Sequence, residues 1–588
     1  MGKRWRFQPH DSTHIRHLQH SAGIAPVVAQ LLVARGITDP RDAEQFLAAK
    51  LSDLRDPEEL PGVEDAAARI YDAVQGGRKI TIFGDYDADG MTSTAILLRG
   101  LRLLHANVDF YVPNRMEEGY GLNDAALEKL AATGTKLVIT VDNGIASLDE
   151  AKTAKRLGLE LIVTDHHEML AELPCADVVV HPALPGHNYP FTGLCGAGVA
   201  FKLMWRVCQL QTNAKRVSDR MRNFLLSAMG LCAIGTVADV VPLTDENRVI
   251  VRHGLKTLKA SPTIGIEALI KVAGLDKKPE LNTQDIGFML APRLNAAGRL
   301  GQGELGIELL STDSYERAEE LALHLNELNT TRMTVEKEIT QAAREQALSE
   351  HGCVEDQPAL VLAGRGWHAG VIGIVAGRLA EQFYRPTLVL TLDEKGEQFA
   401  MGSGRSIPGF NLNKALFHCR EHLVKHGGHA AAAGLRIEEQ KIDVFRAAFC
   451  EYVDSQLTEE DLQPNLHIDA EASLPSLTLK TVKQLEEMAP FGQSNRRPTL
   501  CARGVQLGNE PRRMGRGEKH LSVMLQQNEV RLRAVAFNQG DWADTMQSNQ
   551  GPMDVAYRPV LNEYNGRRSV EIQIVDWKPA ERISNIAG

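Results

Sequence analysis

From residue 79 onward, short apolar runs rich in β-branched residues alternate with longer stretches of helical period. The runs lie at 79–83 (KITIF), 108–112 (VDFYV), 136–141 (KLVITV), 160–164 (ELIVT) and 177–180 (DVVV), with Ala- and Leu-rich segments such as 94–104 and 124–132 between them. That rhythm predicts βαβ units, hence an α/β fold whose parallel sheet is covered by helices on both faces. Ligands of such sheets sit beyond the carboxyl ends of the strands. Between 312 and 350, Ala318, Leu321, Leu325, Leu328, Val335, Ile339 and Ala342 keep a 3-4 spacing, with Arg332 in one polar gap. This predicts a connecting helix of roughly 55 Å. A second α/β block runs from 358 to about 453. After 498 the pattern turns to short strands, at 499–506, 521–526, 530–537, 553–557 and 570–575, which suggests a small barrel.

Composition narrows the classes. At 588 residues the chain has room for three or four domains of roughly 100–200 residues. Its 65 Lys+Arg against 75 Asp+Glu leave a net charge of −10, which excludes a uniformly basic coat for nucleic acid but not a local basic groove. The start, Met1-Gly-Lys-Arg-Trp-Arg, has no leader-like apolar stretch, and the apolar run at 24–34 is broken by Pro26 and Gln30. No membrane association is expected. Eight scattered cysteines without close pairs fit a reducing, cytoplasmic setting. The sole Gly-Lys dipeptide is Gly2-Lys3, so no phosphate-binding Walker loop is present, and the spacing Gly364-x-Gly366-x-x-x-Gly370 is a poor dinucleotide fingerprint.

The chemistry concentrates in four polar clusters. Gly84-Asp85-Tyr86-Asp87-Ala88-Asp89-Gly90 follows the first strand and precedes a helix. Three carboxylates at alternate positions repel one another unless a cation compensates. A calcium EF-hand loop is excluded, since its twelfth position holds Ile96 and a strand precedes it. Asp142-Asn143-Gly144, Asp165-His166-His167-Glu168 and Asp239 come next, at expected strand ends or beside apolar segments. Mixed Asp and His donors suit hard-to-borderline divalent ions such as Mn²⁺ or Mg²⁺. Taken singly, each cluster reads as a turn or a helix cap. The four together read as a metal site.

GDYDADG, VDNG, TDHHE and ADVVP resemble the four motifs of the DHH phosphoesterase superfamily. In order and spacing they are similar to its RecJ family of single-strand-specific 5′→3′ DNA exonucleases. The resemblance implies that Asp85, Asp87, Asp89, Asp142, His166 and Asp239 contain the ligands of two divalent ions, Mn²⁺ or Mg²⁺, with Asp142 bridging. His167 is then a ligand or a general acid beside the scissile phosphate. Relatives with a shorter first motif place a histidine ahead of it; Ile82 and Phe83 stand there in this chain, and Asp89 is the candidate to compensate.

The same resemblance divides the chain into an N-terminal helical segment packed on the core (1–60), a DHH catalytic domain (61–311), the long helix (312–350), a DHH-associated domain (351–455), and a linker with an OB-like barrel (456–588). Arg115 and Tyr120, after the second strand, offer a cation for phosphate and a ring for a base. Asn295 and Arg299 fall in a segment that faces the catalytic groove in the family. Ser403 and Arg405, with Arg115, are expected to grip a terminal 5′-phosphate, and His429 stands in the Gly- and Ala-rich stretch beside them. Arg496, Arg497, Arg503, Arg512, Arg513, Arg516, Lys519, Arg531 and Arg533 face only Glu510, Glu518 and Glu529 along the sequence, which predicts a basic strip for single strands. The implied partners are single-stranded DNA, single-strand-binding protein and a RecQ-type helicase, and the implied state is a monomer. The rivals are a phosphodiesterase for short oligonucleotides or cyclic dinucleotides, and a scaffold that has lost its metals.

Overall fold

Five of the apolar runs form one parallel sheet: β1 (Ile80–Phe83), β2 (Val108–Tyr111), β3 (Leu137–Val141), β4 (Glu160–Thr164) and β5 (Val178–Val180), in spatial order β2-β1-β3-β4-β5. The structure, a computed structural model, describes residues 3–114, 118–212, 214–351, 354–392, 398–564 and 566–580. Every residue of β1 and β3 is buried, as continuous apolar runs demand when helices cover both sheet faces. Three helices pack against one another beside this sheet: α1 (Ala88–Leu103), α2 (Gly196–Thr212) and α3 (Asp219–Ala238). α3 is long and apolar enough to cross a bilayer by composition, but 61% of its apolar window is buried inside the fold, which accounts for its character.

The second α/β region pairs β6 (Leu360–Arg365) with β7 (Thr387–Leu392) in parallel, then adds β8 (Phe399–Arg405), β10 (Ala432–Glu438) and the edge strand β9 (Leu423–Gly428) antiparallel, in order β9-β10-β8-β7-β6. The helix α4 (Ala291–Arg299) belongs to the first region, and α6 (Ala369–Phe383) lies over β8 and β7. Between the two regions runs α5 (Tyr315–His351), whose first half packs on helices of the first and whose last turns pack on α6 and β6. Its buried seam differs from the expected one. Ala342 is exposed, and the seam passes through Asn329, Glu336, Ile339, Ala343 and Ala347. Arg332, the polar gap, donates to Asn329 and Glu336, and Arg378 of α6 closes on Glu336 from the other side. A paired charge cluster therefore replaces two apolar steps of the stripe.

These regions form one compact unit, Leu54–Pro242 with Glu246–Gln463. The other unit combines the chain up to Asp53, Leu243–Asp245 and the chain from Pro464. Its barrel closes because Leu500–Leu507 pairs with both Met553–Tyr564 and His520–Gln527, while Arg567–Pro579 and Val530–Ala536 complete the ring. Of the N-terminal segment expected at 1–60 to pack on the α/β core, the part up to Asp53 falls in this unit and Leu54 onward in the other. Arg4–Phe7 pairs in parallel with Asn465–Ile468, and Leu18, Val28, Leu31 and Leu32 share one apolar core with Leu500, Val523 and Val555. The basic strip is also changed by folding. Arg497 meets Glu486 (2.8 Å), Arg503 meets Glu471 (2.5 Å), Arg513 meets Asp544 (2.6 Å) and Arg533 meets Glu571 (3.1 Å). Among the described residues no carboxylate pairs with Arg512, Arg516 or Lys519, which stay exposed on one hairpin.

Candidate metal centre

Three strand ends of the first sheet and the end of α3 bring the four clusters to one place. β1 delivers Asp85, and Asp87 caps α1 by accepting the amides of Asp89 (2.9 Å) and Gly90 (3.0 Å) on one oxygen. Asp89, in the first turn of α1, accepts the amides of Gly196 (2.7 Å) and Ala197 (2.9 Å), so the start of α2 points at its carboxylate. Asp142 leaves β3 in a left-handed conformation (φ 63°), and Val240, next to Asp239 at the end of α3, has φ 60°. Such strained backbone gathers at functional sites. Gly196 permits the approach of α2: a Cβ there would stand 2.7 Å from that of Asp142.

His166, at the end of β4, ties the clusters together. Its Nε2 lies 3.0 Å from Asp142 Oδ1, 3.6 Å from Asp239 Oδ2 and 3.8 Å from Asp89 Oδ2. Three sets of ligand atoms each converge within 4.8 Å: Asp85, Asp87 and Asp142; Asp89, His166 and Asp239; and Asp142, His166 and His167. Thus all seven sequence-predicted catalytic residues meet. The buried carboxylates crowd one another electrostatically. Burial and then Asp87 push Asp89 up to about 6, and burial and then Asp89 push Asp239 up to about 8. Asp142 is held well above the usual carboxylate range by burial and its acidic neighbours. Burial, aided by His167, lowers His166 to about 3 and so leaves a neutral imidazole, the form that ligates metal. Oxygen and imidazole donors without a thiolate fit Mn²⁺ or Mg²⁺.

Two orienting residues were not assigned from sequence. Asp165 is buried and accepts from Ile145 N (2.9 Å), His166 N (2.7 Å), His167 N (3.2 Å) and His167 Nδ1 (2.7 Å). Burial opposes charge on His167, but this carboxylate outweighs it and lifts the imidazole to about 9. Its protonated Nε2 is left to face a phosphate oxygen. His181 Nε2 lies 2.9 Å from the His167 carbonyl. The first acid of the DHH triplet is a visible signal for Asp165; His181 carries none.

The expected substrate residues divide. Tyr120 donates its hydroxyl to the Asp142 carbonyl (3.0 Å) and meets His167 edge-on at 6.1 Å. Asn295 of α4 accepts the Ala88 amide (2.7 Å), bracing the acidic loop, and Arg299 donates to the Gly370 carbonyl (2.9 Å). A π-helical turn, Ile286–Leu290, leads into α4 and exposes Phe288. Ser403 and Arg405 share one face of β8, with Arg405 donating to Ser403 Oγ (3.3 Å) under Gly373 of α6. His429 reaches Glu168, just beyond the DHH triplet, at 3.5 Å. Arg115 lies outside the described residues.

Comparison with known proteins agrees with this architecture. Residues 79–234 match the DHH family N-terminal domain, 356–455 the DHHA1 domain, and 468–576 the RecJ OB domain. The chain is 40% identical over 574 residues to the single-stranded-DNA-specific exonuclease RecJ of Bacillus subtilis, covering 97% of this chain and 70% of that one. It is 36% identical to the RecJ of Escherichia coli, covering 94% and 96%. A crystal structure of RecJ in complex with Mn²⁺ from Thermus thermophilus superposes with a TM-score of 0.82 at 30% identity, over 98% of this chain and 80% of that chain. A Mg²⁺ complex from the same organism gives 0.76 at 29%, over 98% and 79%. With a DHH domain, a DHHA1 domain and an OB barrel in this order, and identity of this extent, the chain belongs to the RecJ family of single-stranded-DNA-specific exonucleases.

Proposed function

We propose that the chain digests single-stranded DNA from the 5′ end to nucleotides, using two divalent ions, Mn²⁺ or Mg²⁺. The observation that carries this reading is the pair of donor triads, Asp85/Asp87/Asp142 and Asp89/His166/Asp239, joined at the 3.0 Å contact between Asp142 and His166. When bound, such a pair of ions supplies an activated water and stabilises both oxygens of an in-line phosphoryl displacement. Asp142, a member of the first triad and 3.0 Å from His166 of the second, would be the residue shared between the two ions. Asp165 holds His167 by Nδ1 so that its protonated Nε2 donates to a phosphate oxygen or to the leaving group. Tyr120 offers a ring beside His167. Ser403 and Arg405 are donors for a terminal 5′-phosphate, which would fix the direction of digestion. The family's role in recombination and repair suggests single-strand-binding protein and a RecQ-type helicase as partners, in the cytoplasm, where seven described cysteines stay free thiols.

The test is digestion of end-labelled single-stranded DNA with Mn²⁺, Mg²⁺ or chelator. Wild type should release mononucleotides from the 5′ end only with metal, and Asp142→Ala should abolish this. Release from the 3′ end, activity in chelator, an active Asp142→Ala, or a strong preference for a trinucleotide over a long strand would each refute the reading.

A further inference from the structure

β8 presents Ala400, Gly402 and Gly404 to the apolar core and Phe399, Met401, Ser403 and Arg405 to the other face. α6 covers only the Ser403–Arg405 end, where Gly373 and Gly377 approach. Beyond it the sheet is open. Met401 is 56% exposed and stands in register with Arg436 of β10 and, beyond it, Lys425 of β9, while Gly434 and Gly427, in register with Ser403, add no side chains there. The result is a cleft of about 730 Å³ lined by Thr391, Phe399, Met401, Lys425 and Arg436. A second hollow of about 520 Å³ carries Lys414, Phe417, His418, Arg420 and Tyr452. The two share His426 and Gly427 of the edge strand β9.

Both hollows combine flat rings with cations. The Arg436 guanidinium lies 4.6 Å above Phe399 and that of Arg420 lies 4.4 Å above Phe417, while His418 stacks on Tyr452 at 4.4 Å. Phe417 is 59% exposed. Among the described residues no carboxylate pairs with Lys414, Arg420, Lys425 or Arg436; the adjacent Glu421 is directed at His422 (3.5 Å). Rings with interleaved cations on a bare sheet suit unstacked bases and phosphates. An added peptide strand suits the edge less well, since a bulge between Leu423 and Lys425 and Gly428 at φ 138° interrupt its ladder. The patch also adjoins the metal loop, because the tip of the β9–β10 hairpin carries His429 to Glu168.

Resting on the reading of the chain as a single-strand nuclease, we propose that the open half of this sheet and its edge form a second, non-hydrolytic site for a few nucleotides of single strand. Lys414, Arg420, Lys425 and Arg436 hold phosphates, and Phe399, Phe417 and Tyr452 carry bases. The site retains the strand between successive cleavages.

The experiment measures binding of a fluorescent oligothymidylate of about 20 nucleotides to the full chain in chelator, across a salt series. Lys425→Ala with Arg436→Ala should weaken binding about 10- to 30-fold at about 0.1 M salt and reduce the salt slope by roughly 1.4, since a single strand gives about 0.7 per neutralised phosphate. Phe417→Ala should weaken binding with the slope unchanged. In Mn²⁺ the double variant should hydrolyse a trinucleotide at the wild-type rate but release long strands sooner. Unchanged affinity and slope would overturn the proposal, as would equal loss on trinucleotide and long strand. So would binding in which an acidic peptide, and not the oligonucleotide, responds to the double variant. Failure of wild type to digest DNA would sink the nuclease reading instead, while the chelator binding would still report on this site.

Discussion

Replacing Asp165 by Asn perturbs the centre without touching an assigned metal ligand. One oxygen of Asp165 accepts from Ile145 and the other from His166 N, His167 N and His167 Nδ1. An amide of the same shape must aim its N–H₂ at one of these donor groups, whichever way it turns. A buried donor left facing a donor costs about 1–3 kcal/mol, and the remaining bonds lose their charge assistance. The larger effect falls on His167. With Asp165 ionised, the imidazole titrates at about 9 and is charged at neutral pH. Without that carboxylate, the largest counterweight to burial is lost and the imidazole titrates lower, held up only by the Asp239 and Asp89 charges. A lost general acid lowers the rate by about 10²–10⁴. Single-turnover digestion from about pH 6 to 9 should therefore show a loss of this size in Asp165→Asn near pH 8, shrinking toward pH 6. A rate within about threefold of wild type near pH 8, or a loss uniform across the range, would refute the role given to Asp165.

Two further predictions concern stability. In chelator, carboxylates raised to about 6 (Asp89) and about 8 (Asp239) make the fold bind more protons than the unfolded chain, so stability present at acid pH is lost as pH rises through these values. Melting temperature in chelator should fall over that window, and Mn²⁺ should restore more at about pH 8 than at about pH 6; a flat profile or an equal gain would count against a cation-compensated cluster. Glu246, fully buried, pairs with the Lys202 ammonium (2.6 Å, 1% exposed) and with Arg55 (3.3 Å), and accepts from the Tyr189 hydroxyl. Glu246→Ala should destabilise by about 3–5 kcal/mol by stranding the ammonium, and Lys202→Met with Glu246→Leu should cost less than the summed single changes; near-wild-type unfolding of Glu246→Ala would contradict this.

The sheet strands were legible because parallel strands buried on both faces are unbroken apolar runs, and the boundaries moved by a residue or two. The convergence of the acidic and histidine motifs was legible because three of them end a strand, whereas Asp239 caps the buried helix α3. What depended on distant partners was hidden. Glu471, Glu486, Asp544 and Glu571 neutralise arginines 11 to 38 residues away, so a local charge count overstated the strip. Asn295 read as a substrate candidate, and the bond by which its oxygen holds the Ala88 amide, 207 positions earlier, was hidden. Glu336 was absent from the expected seam of the long helix, because only Arg378 from α6 reveals why a carboxylate belongs there.

The parallel pairing of Arg4–Phe7 with Asn465–Ile468 has a consequence for synthesis. The first helices emerge from the ribosome with Val27, Val28, Leu31 and Leu32 on their surface, while the strands that cover them lie beyond residue 464. At about 5–20 residues per second, that apolar face waits roughly half a minute to two minutes for its partner. The nuclease unit is complete well before then. A chain cut after Gln463 would leave that face uncovered and aggregation-prone, so the segment from Pro464 onward acts as a cap on the segment before Leu54.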